Sequence, residues 1–106
     1  MSALVWCPCP DEDTAIALAR QLIDENLVAC GNAVGPMRSV FAWNGEIAEA
    51  RETGLLLKTD AGQLDRAVAR LEEIHPYDEP AVLGWRCGAA GKATAAWLAT
   101  LGGGGQ

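Results

Sequence analysis

Residues 37–59 read MRSVFAWNGEIAEARETGLLLKT, two extended runs joined by Asn44-Gly45. That dipeptide favours positive φ at both central positions of a type I′ turn, whose twist matches that of paired strands. A two-residue loop also fixes the register. Trp43 then faces Glu46, Ala42 faces Ile47, Phe41 faces Ala48 and Val40 faces Glu49. Further back, Arg38 falls opposite Arg51, a like-charge pair that Glu49, one diagonal step away, can bridge. Both arms exceed the usual strand of about 5–6 residues. A two-stranded ribbon carrying Phe41, Trp43 and Ile47 is marginal alone in water, so its far end is expected to pack on something outside the monomer. The alternative is a flexible hairpin standing in solvent.

Upstream of the ribbon, residues 3–7 are apolar and rich in β-formers, a strand expected to end where Pro8 and Pro10 break the ladder. Asp11 is placed to cap a helix, with Asp13 and Thr14 beside it. Ala15, Leu18, Ala19, Leu22 and Ile23 recur at helical spacing, with Arg20, Gln21, Asp24 and Glu25 on the wet side. Asn26 closes that helix. Residues 27–30 open a second strand. Gly31, Gly35 and Pro36 predict a bend or bulge where the ribbon leaves the sheet, and Gly54 is expected to act similarly in the returning strand.

Thr59 or Asp60 is placed to cap a second helix. Its buried stripe is Leu64, Ala67, Val68, Leu71 and Ile74, and Pro76 stops it at His75. A fourth strand is expected from Ala81 to Trp85 or Cys87. A short last helix follows, with Ala93, Ala96, Trp97, Thr100 and Leu101 along one side, and residues 102–106 are expected to be a disordered tail. No repeat or linker divides the chain, so 1–106 reads as a single domain.

The order is therefore β-α-β-β-α-β. Right-handed crossovers make this an α+β, ferredoxin-like fold, one antiparallel sheet with both long helices on a single face. The uncovered face would expose Val, Leu and Trp in a patch larger than soluble monomers usually carry. A homo-oligomer is predicted, a ring if the ribbon reaches the sheet edge of the next subunit.

Composition narrows the function. A chain of 106 residues, half of them apolar, buries roughly 65% of its unfolded surface and needs no metal or disulfide staple. A formal charge of −6, with only eight scattered basic residues, argues against a nucleic-acid surface. No run approaches the ~18 apolar residues of a membrane span, and the opening MSALVWCPCP lacks the basic region of a signal peptide. The four cysteines are then expected to be reduced thiols in the cytoplasm.

The only histidine and the only tyrosine fall together in His75-Pro76-Tyr77-Asp78-Glu79-Pro80, a stiff connection between helix and strand. One reading is a rigid junction with a capping imidazole. The other is that His75 joins thiolates at a soft or borderline metal ion, with Cys7 and Cys30 as candidate partners. Cys7 and Cys9 also project to one side of a strand and can chelate a soft cation, although buried, unreactive thiols are the commoner outcome. A cysteine nucleophile paired with His75 is the remaining catalytic arrangement. No nucleophile elbow, Walker loop or dinucleotide fingerprint is present, and the carboxylates sit on solvated helix faces. No enzyme activity is expected.

Five stretches in order, Cys9-Pro10-Asp11-Glu12-Asp13-Thr14-Ala15, Leu27-Val28-Ala29-Cys30-Gly31-Asn32, Ser39-Val40-Phe41-Ala42-Trp43-Asn44-Gly45-Glu46-Ile47, Leu55-Leu56-Leu57-Lys58-Thr59 and His75-Pro76-Tyr77-Asp78-Glu79-Pro80, resemble the successive signatures of the CutA family over about nine-tenths of the chain. The resemblance implies a divalent-cation tolerance protein with a PII-like trimeric architecture, binding copper or a similar divalent cation. It carries the proposed ligands onto Cys7, Cys30 and His75. It also implies an inter-subunit cleft lined by Trp43, Lys58, His75 and Tyr77. A PII-like sensor or scaffold, taking a small metabolite or a protein partner in that cleft, is the alternative. Three departures bear on the cleft: Glu46 stands where the family commonly has Lys, and Glu79 and Ala81 flank Pro80 where it has a small residue and Glu. Losing a basic group and moving a carboxylate disfavours an anionic ligand more than a cation.

Overall fold

Asn44 and Gly45 take φ of +50° and +77°, the left-handed pair that the type I′ turn demands. Around that turn the computed structural model, which describes residues 1–101, shows the paired ribbon in the expected register, from Trp43 opposite Glu46 back to Arg38 opposite Arg51. Of the two arginines Glu49 binds Arg38, with Nη2 to Oε1 at 2.6 Å. The elements are β1 (Ser2–Cys9), α1 (Glu12–Asp24), β2 (Cys30–Trp43), β3 (Glu46–Asp60), a 3-10 turn (Ala61–Gln63), α2 (Leu64–Ile74), β4 (Leu83–Arg86) and α3 (Lys92–Leu98). The sheet runs β2-β3-β1-β4 with every adjacent pair antiparallel, which is the ferredoxin-like arrangement. The predicted tail, 102–106, lies outside the described residues.

Alternation along the central strands decides what meets what. Ala3, Val5, Cys7 and Cys9 of β1 and Leu55 and Leu57 of β3 face the two long helices, joining Leu18, Leu22, Leu64 and Leu71 in one core. Each fully buried leucine contributes about 1.5–3 kcal/mol of transfer free energy. The helices sit close because Gly31 and Gly84 lie beneath them. A Cβ on Gly31 would come 2.8 Å from that of Ala19, and one on Gly84 2.8 Å from Leu64 Cδ1. Asp11 caps α1 by accepting the Thr14 amide at 2.8 Å. Asn26, at φ +60°, closes it as Leu27 N–H donates to the Leu22 carbonyl.

Several boundaries differ from the expectation. β1 runs through Pro8 to Cys9, because its pairing with β4 ends at Trp6 and Pro8 therefore lies on a locally free edge where no ladder donor is needed. β2 begins at Cys30 and not Leu27, whose carbonyl instead accepts the Thr59 hydroxyl at 2.7 Å. The bulge falls between Val34 and Met37, as the Gly35-Pro36 pair suggests. Gly54 makes none: it clears space for Trp6, whose ring a Cβ there would enter. β4 is shorter than expected, Leu83–Arg86. Ile23 stays 41% exposed at the margin of its stripe. Helix α3 touches β1 and β3 and buries Leu98 apart from the main core, leaving Trp97 half exposed. Its inner side is thus Ala95, Leu98 and Leu101, and not the stripe through Trp97.

Candidate metal centre

The end of β1 gathers the chemistry. Strand alternation puts Cys7 and Cys9 on the same side of the sheet, and Pro76 ends α2 so that His75 takes an extended φ, ψ of −67°, 141° just beyond it. The ligand atoms of Cys7, Cys9 and His75 all lie within 4.8 Å of one another. Both cysteines are fully buried and His75 is 7% exposed. Soft sulfur with borderline imidazole suits copper-type ions, and not the hard, oxygen-seeking calcium or magnesium.

His75 also fastens the end of the strand. The fourth strand stops short of Pro8, whose carbonyl His75 Nε2 meets at 3.0 Å. Nδ1 accepts the Tyr77 amide at 3.1 Å, which leaves Nε2 as the nitrogen that donates to that carbonyl. Tyr77 reaches back through its hydroxyl to Glu52 Oε2 at 2.8 Å, and its ring lies 4.7 Å from that of His75. The hydrogen bond with Cys9 pushes the Cys7 thiol far up. Burial and the charges of Cys9 and Glu52 act in the same direction. Cys9 is lowered because Cys7 remains as its donor, against the opposing pull of burial and of Glu52 and Asp11. Burial chiefly, and then the Glu52 hydrogen bond, raises the Tyr77 phenol.

Cys30 does not join this group. It pairs with Lys58 across the ladder, and Lys58 alternates with the inward-facing Leu57 and Thr59, so both point to the other side of the sheet. There Lys58 Nζ lies 2.9 Å from Asn32 Oδ1 and 3.9 Å from the Cys30 sulfur. Trp43 and Tyr77, by contrast, share a groove of about 960 Å³ between the ribbon and the segment after His75. Phe41, Glu52, Asp78 and Glu79 line it too, without Lys58 and without any Lys, Arg or His. Cys9 is the member that the resemblance omits. Its signal in the sequence was the i, i+2 spacing from Cys7, which places two sulfurs on one face of a strand.

The model of the CutA1 divalent ion tolerance protein family matches residues 3–100. The chain belongs to the CutA1 family. The divalent-cation tolerance protein CutA of Thermus thermophilus is 34% identical over 83 residues, covering 78% of this chain and 81% of that relative. The CutA crystal structure from Xylella fastidiosa superposes with a TM-score of 0.89 at 30% identity, covering 93% of this chain and 95% of that one. A protein of Archaeoglobus fulgidus, described as a periplasmic divalent cation tolerance protein CutA, shares the fold with a TM-score of 0.86 at 24% identity over 92% and 95% of the two chains. Among the described residues no helix of this CutA1 member is long and apolar enough to cross a membrane.

Proposed function

We propose that this CutA1 member is a cytoplasmic, non-enzymatic homotrimer that binds copper or a similar ion at the Cys7–Cys9–His75 cluster. The carrying observation is the convergence of three buried soft or borderline donors within 4.8 Å on a chain of the divalent ion tolerance family. Cys30, the family-derived ligand, has no place in that cluster, because strand alternation turns it to the opposite face with Lys58. The trimer is supported by the ribbon, where Val40 is 67% and Ile47 81% exposed, and by the apolar Leu83 and Trp85 on the opposite sheet edge. Calorimetric titration of copper into wild type and Cys7→Ser tests the site. Wild type is expected to bind one ion per chain and the variant at least about 10-fold more weakly. Equal affinities would remove Cys7 from the site.

A second reading takes the groove as the working surface, with a small molecule or protein partner held by Trp43 and Tyr77. The supporting observation is its aromatic lining combined with the carboxylates of Glu52, Asp78 and Glu79. That lining favours neutral or cationic ligands over the anions a basic cleft would take. Thermal-shift measurements across cationic and anionic metabolites test it. The reading predicts a rise in melting temperature with cations only, and a rise with anions alone contradicts it.

A further inference from the structure

Three donors meet at the end of β1, but they are not equally free to bind. His75 has no lone pair to spare: Nδ1 accepts the Tyr77 amide at 3.1 Å, and Nε2 gives its proton to the Pro8 carbonyl at 3.0 Å. Turning either nitrogen toward an ion would orphan a backbone group. The Pro8 carbonyl would keep only the weak Cys7 thiol contact at 3.6 Å, which is itself lost once Cys7 ligates, since the pairing of β1 with β4 has already stopped at Trp6. The carboxylate of Glu52, which acts electrostatically on both thiols, is held by the Tyr77 hydroxyl at 2.8 Å. Cys30 lies across the sheet. What remains uncommitted is sulfur. Cys7 Sγ is 3.6 Å from the Pro8 carbonyl oxygen and Cys9 Sγ 3.6 Å from that of Cys7, both weak thiol contacts that an ion can displace.

From this geometry we propose that the Cys7–Cys9 pair alone forms a two-coordinate site for a soft monovalent cation, cuprous copper, and that His75 is a positioning residue and not a ligand. The inference rests on the metal-binding reading above and narrows it to one oxidation state and two ligands. Four-coordinate divalent ions find only two available donors in a pocket closed to solvent, whereas soft thiolates select Cu(I). The dimensions agree: two metal–sulfur bonds of about 2.3 Å, the zinc value, span up to about 4.6 Å, against sulfurs lying within 4.8 Å of each other. Each ligating thiol exchanges its proton for the metal, so binding releases up to two protons and moves no electrons. By fixing the Pro8 carbonyl, His75 holds the strand residue between the two sulfurs.

Anaerobic titration with Cu(I) against a competing chromogenic chelator, with Ag(I) as a redox-inert probe and Cu(II) and Zn(II) as comparisons, tests this. X-ray absorption spectra of the Cu(I)-loaded wild type and His75→Gln are read alongside. The expected spectra show two sulfur scatterers and no imidazole in both proteins. Cys7→Ala and Cys9→Ala are each expected to lose more than about 100-fold in Cu(I) affinity, and His75→Gln about 10-fold or less, as a supporting group does. Imidazole scattering in loaded wild type overturns the proposal even if a variant fails to fold, because that measurement needs no variant. Tight Cu(II) or Zn(II) binding with imidazole also overturns it while leaving metal binding at the cluster intact. Absence of binding by all four ions removes both.

Discussion

His75 shows how one residue can answer two needs. As the last position before Pro76 it must leave the helix, and in leaving it supplies the hydrogen bond that β4 does not give the Pro8 carbonyl. The sequence placed His75 and Cys7 on separate elements, and no spacing rule could bring them together; only the packing of α2 against β1 does. The opposite failure applies to Cys30, whose family-derived role depends on which side of a strand it faces, and alternation from Leu57 puts it away from Cys7. A plainer residue-scale test concerns Glu25, the C-cap residue of α1, which grips Arg70 of α2 with bonds of 2.9 and 3.1 Å. The hydrogen bonds from Arg70 and Gln21 hold its carboxyl below the usual range. A lowered folded-state pKa stabilises the protein above the ordinary carboxylate value and loses that contribution as pH falls through the lowered one. Glu25→Gln is therefore expected to unfold at lower denaturant concentration than wild type at neutral pH. The two midpoints should converge as pH drops well below about 4, and a gap that persists there would mean the contact is not electrostatic.

At the scale of elements, strands and helices were readable wherever a local rule controlled the backbone. Asn44-Gly45 set the ribbon register residue by residue, and Asp11, Asn26 and Pro76 marked helix ends. Errors arose where a neighbour decided instead. Pro8 reads as a strand breaker until the short β4 leaves it on a free edge, and Trp97 reads as buried until Leu98 takes the sheet-facing position. Gly54 reads as a bend, but its role is set by Trp6. Gly54→Val is accordingly expected to cost about 1–3 kcal/mol by overpacking, measured as the denaturant midpoint, while the ribbon register in its amide exchange pattern stays unchanged. A register shift without loss of stability would restore the bend interpretation.

At the scale of the molecule, the 14- and 15-residue arms of β2 and β3 stretch the chain to 47 Å along its long axis against 25 and 22 Å across. Val40, Phe41, Trp43 and Ile47 ride on the projecting part, and Leu83 and Trp85 sit on the far edge strand. The protein thus carries apolar surface at two separated places, the condition for a head-to-tail contact that closes into a ring. The acidic, aromatic groove opens beside that ribbon, so a neighbouring subunit would border both it and the strand end bearing Cys7 and Cys9. Sedimentation velocity at micromolar concentration tests this most directly. The account predicts one species of three times the 11.1 kDa chain mass, and a lone compact chain at that concentration would contradict it.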